Sequence, residues 1–347
     1  MLSANGFSLC TTAPILALAL LFPAERMLRA DELLMLDGSR LVGTVLGGKE
    51  GVLDFETSFA GVLKVRWDQV SELQTDAPLR LLLGNDEILD ITMVRESGEE
   101  LLVGSGEDVL RPLNRADVVA VNPESWQLGE GFKWTGRINL DLKSEHGNTD
   151  TDEMEADGEM RFRRPHDRAI LLGQYEKNRS SGELTSNNWD ASGNYDYFIG
   201  EKFYTGAKLR LEHDAFSDLD LRTTIGPHLG YQFYESEAMN LNMDAGPLYV
   251  NENHIDSPDD DYVAFGWNFN FDRFLIPERM QFYHRHNGLQ DTADTDNTVI
   301  DSWTGFRFPL YAGIVASTEA QVNYDGGAPD DVDKTDTTYR VKLGYQW

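Results

Sequence analysis

The sequence predicts an all-β protein: a twelve-stranded antiparallel transmembrane β-barrel preceded by a small all-β domain. Three observations predict this class: apolar and polar residues alternate with period two from Trp134 onward, short and long connections follow each other regularly, and a final amphipathic strand ends in Trp347. Alternation of this kind is expected when one face of a sheet contacts lipid and the other an aqueous lumen. The mean hydropathy of −0.42 excludes a bundle of transmembrane helices but not a barrel, because only alternate barrel residues face lipid.

The alternation is clearest in the first predicted barrel strand, where Trp134, Ile138 and Leu140 lie on one face and Arg137 and Asn139 on the other. The same pattern recurs at 154–163, 188–197, 203–212, 225–233, 241–249, 263–271 and 312–322, and more weakly near 169–178, 279–288 and 298–308. A soluble antiparallel β-protein would alternate similarly. The many aromatic residues near strand ends favour the membrane, where barrels place aromatic girdles.

The predicted connections differ in length. Five are short, at 165–167, 200–201, 235–238, 276–278 and 309–310, and six are long, at 145–151, 179–186, 214–222, 251–261, 287–297 and 325–336. Outer-membrane barrels have tight periplasmic turns and longer extracellular loops. These connections join twelve strands with both barrel ends in the periplasm. We therefore expect localisation in the outer membrane, with the N-terminal domain in the periplasm.

The last predicted strand carries an apolar face through Tyr339, Val341, Leu343 and Tyr345 to the terminal Trp347. It resembles the terminal signal by which outer-membrane barrels are recognised for assembly. We therefore expect two kinds of partner. These are the lipids of the outer membrane and, through the strand ending in Trp347, the barrel-assembly machinery.

The N-terminus has the pattern of a secretory leader. The apolar run at 13–22 has the length of a signal-peptide core and is too short to span a membrane, and Ala24 and Ala30 offer cleavage points. We assign residues 1–30 to a signal peptide, with a retained N-terminal anchor as the alternative. The only cysteine, Cys10, lies in this segment, so the mature chain would have neither disulfides nor Cys-ligated metals.

Residues 31–122 form the predicted all-β periplasmic domain, with short β-like runs separated by turn signals such as Asp37-Gly38. Its second part, 76–122, repeats the order of runs and turns found in 31–75. We predict two copies of a small five-stranded, Sm-like unit with a structural or protein-binding role. A linker at 123–131 then leads into the barrel at 132–347.

Several short motifs in the barrel region are shared with a known domain family. They are Trp134-Thr135-Gly136, Gly147-Asn148-Thr149, Gly226 to Tyr231, Leu241 to Tyr249, and the closing strand Tyr339 to Trp347. By their order and spacing, residues 132–347 resemble the salt-induced outer-membrane protein family, a domain family of unknown function. The resemblance implies an outer-membrane barrel and supplies no catalytic residue, cofactor or ligand. It does not cover residues 31–122.

Basic residues fall on the predicted inward face of three strands that become neighbours when the barrel closes. They are Arg137, Lys143, Arg161, Arg163, Arg340 and Lys342. Such a track would favour anionic solutes, because rings of charge select ions in narrow channels. The alternative is that Asp141, Glu155, Asp157 and Glu159 neutralise them as ion pairs, since small barrels fill their interior with side chains.

Acidic residues cluster in the predicted long loops, and the chain has a net charge of −29. The candidate residues are Asp259, Asp260 and Asp261 in one loop and Asp330, Asp331 and Asp333 in another. Such clusters suit divalent cations, although none follows the EF-hand pattern, and a plain solvated acidic exterior is the alternative. The same charge argues against nucleic acid as a partner.

A lipid-hydrolase hypothesis rests on His286 and Ser302, which flank one predicted loop. Outer-membrane phospholipases are also twelve-stranded and use a lipid-facing His as base and Ser as nucleophile. The orienting Asn expected after the Ser is missing here. We therefore expect a non-enzymatic barrel without a cofactor, either a narrow channel or a structural, salt-stress protein of the envelope. Passive uptake of small anionic solutes is the alternative.

Overall fold

The computed structural model describes residues 30–49, 51–98, 100–105, 110–145, 150–236, 238–328 and 333–347. The chain divides into two compact units after Pro123. The predicted signal peptide lies almost wholly outside the described residues, as do Asp330 and Asp331. No described helix is long and apolar enough to cross a membrane.

The first unit is an all-β domain with a single branched sheet. Its strands are β1 (Asp31–Met35), β2 (Arg40–Lys49), β3 (Val52–Thr57), β4 (Gly61–Arg66), β5 (Val70–Leu83), β6 (Ile88–Ser97), β7 (Glu100–Gly104), β8 (Arg111–Asn114) and β9 (Val118–Val121). Their order is β4-β3-β2-β1-β5-β6-β7-β8, and β9 pairs with β2 and β5. Short 3-10 helices, Trp67–Gln69 and Arg115–Asp117, precede β5 and β9.

The two parts of this domain have the same strand order and share β5. The first half of β5 pairs with β1, where Leu73 opposes Leu33, and its second half pairs with β9, where Leu81 opposes Val121. Apolar side chains from both parts pack into one buried core; its members include Leu33, Phe55, Leu73, Leu81, Leu101 and Val121. The two parts therefore form one domain.

The second unit is a closed barrel of twelve antiparallel strands, which confirms the predicted fold class. The strands are β10 (Lys133–Glu145), β11 (Thr151–Arg163), β12 (Asp167–Ser180), β13 (Glu183–Phe198), β14 (Phe203–Asp214), β15 (Leu219–Glu235), β16 (Met239–His254), β17 (Asp260–Ile276), β18 (Met280–Asp291), β19 (Thr298–Pro309), β20 (Ile314–Asp325) and β21 (Thr335–Gln346). A 3-10 helix, Ser125–Leu128, occupies the predicted linker. We call the end where β10 begins and β21 ends the terminal end, and the opposite end the loop end.

The two faces of the barrel wall agree with the predicted alternation. Ile138 and Leu140 point outward and are about half exposed, whereas Asn139 between them is buried in the interior. On β21, Leu343 is exposed and Lys342 is buried. An apolar exterior around a polar interior is the arrangement of a transmembrane barrel.

Two predicted long connections are wrong. Residues 214–222 lie mostly in strands, because only 215–218 separate β14 from β15. Residues 179–186 do not form a loop, because β12 and β13 continue to a two-residue turn at Ser181-Gly182. Both turn residues have positive φ, 52° and 84°, which is the geometry of a tight hairpin turn. The polar residues that flank this turn therefore belong to paired strands at the loop end.

The seam between β10 and β21 is paired over only part of its length. Gly136 to Leu140 pairs with Leu343 to Trp347, and backbone hydrogen bonds join Gly136 and Trp347 in both directions at 3.1 and 3.0 Å. Toward the loop end, residues 141–145 pair with β11 and residues 335–342 with β20, but not with each other. The seam is therefore closed at the terminal end and parted toward the loop end.

Candidate functional site

The candidate site is the barrel lumen. Of the six predicted basic residues, Arg137, Arg161 and Lys342 line its cavity, whereas Lys143 is 47% exposed near the loop end. Each of the six has a carboxylate partner: Arg137 and Arg161 with Glu159, Lys143 with Glu145 and Glu153, Arg163 with Glu235, Arg340 with Glu155 and Glu176, and Lys342 with Asp157 and Glu319. The six therefore do not form an unpaired positive track. They are half of a mixed-charge network, in which Glu155, Asp157 and Glu159 have the neutralising role of the alternative interpretation.

Two ion pairs cross the lumen. Arg285 on β18 contacts Glu159 on β11, and Arg210 on β14 lies 3.1 Å from Asp301 on β19. In each case the partners stand five strands apart around the barrel, where six would be diametrically opposite. Side chains from nearly opposite walls therefore meet in the interior.

At the terminal end, the inner wall of β12 to β15 carries a buried cluster around Arg168, of which only 1% is exposed. Arg168 donates hydrogen bonds to Asp196 at 2.8 Å and to Gln232 at 2.7 Å. Its guanidinium group also lies 5.0 Å from the ring centroid of Tyr204, and Asp196 lies 2.7 Å from His228 Nε2. A buried cation of this kind is stable only when its charge and its N–H groups are satisfied.

A cavity of about 190 Å³ remains in the barrel interior. Its lining includes both cations and anions, together with Asn268 and Asn270, and the inward aromatic side chains Tyr283 and Trp303. Lysine and arginine in the wall face carboxylates at short range, as Lys208 faces Asp244 at 3.1 Å. The cavity is thus polar without a single dominant sign of charge.

The cross-lumen arginines were not predicted as site residues. The alternation already placed Arg210 on the polar face, but an inward position does not reveal a partner on the opposite wall. Arg285 lies in one of the weakly alternating strands, and Arg168 lies beside a turn, just before the predicted start of its strand. The sequence therefore indicated only which residues of each strand face inward, and not which residues they contact.

The acidic loop residues do not converge on one point in the described part of the chain. Asp259 accepts a hydrogen bond from the backbone N–H of His254, and Asp261 lies 3.4 Å from the Tyr249 hydroxyl. Among the described residues, no group of three or more His, Cys, Asp or Glu has the arrangement of a metal site. The predicted loop position of Asp260 and Asp261 is wrong, because both lie in β17, whose pairing with β16 continues to Glu252 and Asn251. Asp333 belongs to the described part of the chain, whereas Asp330 and Asp331 lie outside it.

His286 and Ser302 come together on the outer surface. They oppose each other on β18 and β19, and His286 Nδ1 lies 2.8 Å from Ser302 Oγ. The next outward pair repeats the contact, with His284 Nδ1 2.8 Å from Thr304 Oγ1. In the described structure, no amide or carboxylate is bonded to the other ring nitrogen of His286.

A closed barrel with an apolar exterior and a charged interior defines this protein as a transmembrane barrel of the outer-membrane class. Residues 138–347 match the family described as "Protein of unknown function, DUF481", and the chain belongs to this family. The predicted resemblance to a family of unknown function is thereby confirmed. Salt induction stays a prediction.

Solved structures to which the chain is similar include outer-membrane proteins, at low sequence identity. A NanC porin is 11% identical, with 61% of this chain and 98% of the porin covered and a TM-score of 0.41. The outer membrane channel DcaP of Acinetobacter baumannii is 11% identical, with 78% and 94% covered and a TM-score of 0.30. A bacterial polysaccharide outer membrane secretin is 10% identical, with 62% and 97% covered and a TM-score of 0.32. No curated protein matches the sequence.

Proposed function

We propose that this protein is a non-enzymatic, structural barrel of the outer membrane whose lumen is closed to ions by its own side chains. The observation that carries the proposal is the pair of ion contacts across the lumen, Arg285 with Glu159 and Arg210 with Asp301. An ion moving along the barrel would have to break charge pairs in a low-dielectric interior, where such contacts are strong.

The orientation belongs to the same proposal. The chain enters β10 and leaves β21 at the same end of the barrel, as the pairing of Gly136 with Trp347 indicates. We place this terminal end in the periplasm, together with the N-terminal domain, and the loop end at the cell exterior. A role under salt stress and a cleaved signal peptide remain predictions.

Conductance of the refolded, heat-modifiable protein in a planar bilayer tests the closed lumen. We expect the unaltered protein to be silent. The double variant Arg285→Ser/Arg210→Ser removes the arginine from each of the two cross-lumen ion pairs. We expect this variant to give conductance steps. These steps should prefer cations, because Glu159 and Asp301 remain while two positive charges are lost.

A matched control removes an ion pair without opening the lumen. Lys143 and Glu153 lie 3.4 Å apart on adjacent strands toward the loop end, and both side chains are more than 40% exposed. Lys143→Ser/Glu153→Ser should therefore stay silent. Steps with anion preference from the unaltered protein would contradict the proposal and support passive uptake of anionic solutes.

A lipid hydrolase is the second candidate function, favoured by the 2.8 Å contact between His286 Nδ1 and Ser302 Oγ on the lipid-facing surface. A serine becomes a nucleophile when an adjacent histidine accepts its proton, and a third group normally orients that histidine. The repeated contact between His284 and Thr304 instead suggests a ladder of structural hydrogen bonds.

Release of fatty acid from phospholipid by the refolded protein separates the two interpretations. If the barrel is a hydrolase, Ser302→Ala should abolish release, whereas Thr304→Ala should leave it intact. Our leading proposal expects no release from the unaltered protein. Release that survives Ser302→Ala would exclude this serine as the nucleophile.

A further inference from the structure

An outward groove of about 400 Å³ lies at the loop end of β10, β11 and β12. Its lining combines apolar, basic and acidic residues: Leu142, Met154, Ser144, Lys143, Lys177, Arg179, Asp152 and Glu153. Glu153 is paired with Lys143 at 3.4 Å. Leu142 opposes Met154, and Met154 opposes Lys177, so these three form one row across three strands. The next row toward the loop end is polar and consists of Ser144, Asp152 and Arg179.

At this groove, the outward-facing rows of side chains change from apolar to polar toward the loop end. The row on its other side contains Leu140, Ala156 and Tyr175, which are apolar or aromatic. Lys177 therefore stands level with the last apolar row and Arg179 one row beyond it. Long basic side chains in this position extend along apolar surface while their charges reach the head-group region.

The two basic residues differ from those of the lumen. The basic residues traced across the lumen each have a carboxylate partner, whereas in the described part of the chain neither Lys177 nor Arg179 forms an ion pair. Asp152 opposes Arg179 in the sheet, but its carboxylate accepts a hydrogen bond from Ser144 Oγ at 2.6 Å. The groove thus offers two cationic groups to a ligand.

The parted seam adds apolar surface beside the groove. Leu142 lies where β10 no longer pairs with β21, and its side chain is 69% exposed. On the other side of the seam, Val341 is 74% exposed. An extended hydrocarbon chain along this edge would contact apolar side chains, with the cationic groups of Lys177 and Arg179 toward the loop end.

We propose that this groove binds a phosphate-bearing lipid of the outer leaflet. Lys177 and Arg179 contact the phosphate, and an acyl chain lies along Leu142 and Met154. Basic side chains close to an anionic membrane surface attract lipid phosphates in this way. The assignment to the outer leaflet rests on the orientation given under the proposed function, whereas binding itself does not.

Native mass spectrometry of the refolded protein in detergent, with added dioleoyl phosphatidylglycerol, tests this site. We expect retained lipid on the unaltered protein and about 25-fold weaker binding to Lys177→Gln/Arg179→Gln, since each basic residue contributes about fivefold. Arg273→Gln/Arg279→Gln removes two cations at the terminal end and should bind as the unaltered protein does. Heat-modifiability verifies that each variant is folded.

Further arms identify which part of the lipid is bound. Leu142→Ser/Met154→Ser should weaken binding while leaving both cations, and inorganic phosphate should not displace the lipid at equal concentration. Equal binding to the Lys177/Arg179 variant would overturn the site, and displacement by inorganic phosphate would show a free-phosphate site instead. Because no bilayer or conductance is involved, these results are independent of whether the lumen is closed.

Discussion

We expect Arg168→Met to lower the free energy of unfolding of the barrel by about 3–5 kcal/mol, the cost of breaking a buried ion pair from one side. Asp196 would remain buried without its cationic partner, and Gln232 would lose a hydrogen-bond donor. Methionine fills a similar volume, so the effect reports lost charge rather than a cavity. Urea titration of the barrel refolded in lipid vesicles, followed by tryptophan fluorescence, measures it.

Two controls distinguish the contribution of burial to the loss of stability from the contribution of the unpaired charge. Lys143→Met removes a cation whose side chain is 47% exposed, and we expect a change of less than about 1 kcal/mol. Arg168→Met/Asp196→Leu removes both charges and should recover a large part of the loss, because an apolar pair of similar volume can replace a buried ion pair. A stability for Arg168→Met equal to that of Lys143→Met would show that the buried cluster does not hold the barrel together.

Gly136→Val should destabilise the seam by about 1–3 kcal/mol, the usual cost of overpacking. A Cβ at this position would stand 2.4 Å from Cζ2 of Trp347 and 2.9 Å from the backbone oxygen of Glu159. The same glycine exchanges two backbone hydrogen bonds with Trp347, so displacing the ring would strain the contact that closes the barrel. A weaker seam should lower the heat-modifiable fraction of the protein that is recovered from the outer membrane, and this fraction is the measured quantity.

Gly158→Ala is the matched control for this position, since a Cβ there meets nothing nearer than 3.5 Å. Gly158 lies on the neighbouring strand and also faces outward. We expect its recovery to equal that of the unaltered protein. Equal recovery of Gly136→Val would mean that Trp347 can leave the glycine without affecting closure.

The barrel was predictable because a period-two pattern repeats through most of its strands and its phase is fixed by large apolar residues such as Leu140 and Leu343. Where the outward face is polar, the phase was not readable. The strand containing His284 and His286 presents histidines to the exterior, and only the register with β19 shows that they face Thr304 and Ser302.

The contacts inside the lumen could not be predicted from the sequence, for a different reason. Alternation placed Arg137 and Arg340 inside, but the partners of a lumen side chain depend on the diameter and stagger of the closed barrel. Arg285 and Glu159 are 126 residues apart in sequence, and no local pattern connects them. The turn at Ser181-Gly182 was mistaken for part of a loop because Ser, Gly and charged residues are common to both.

The shared strand β5 has a consequence for the predicted binding role of the N-terminal domain. Because one continuous strand carries the pairing of both parts, neither can rotate or detach without breaking the core that they build together. In the described chain, β4 and β8 each have a neighbouring strand on one side only. A protein partner of the predicted kind would therefore meet a single domain with two sheet edges, rather than two modules joined by a tether.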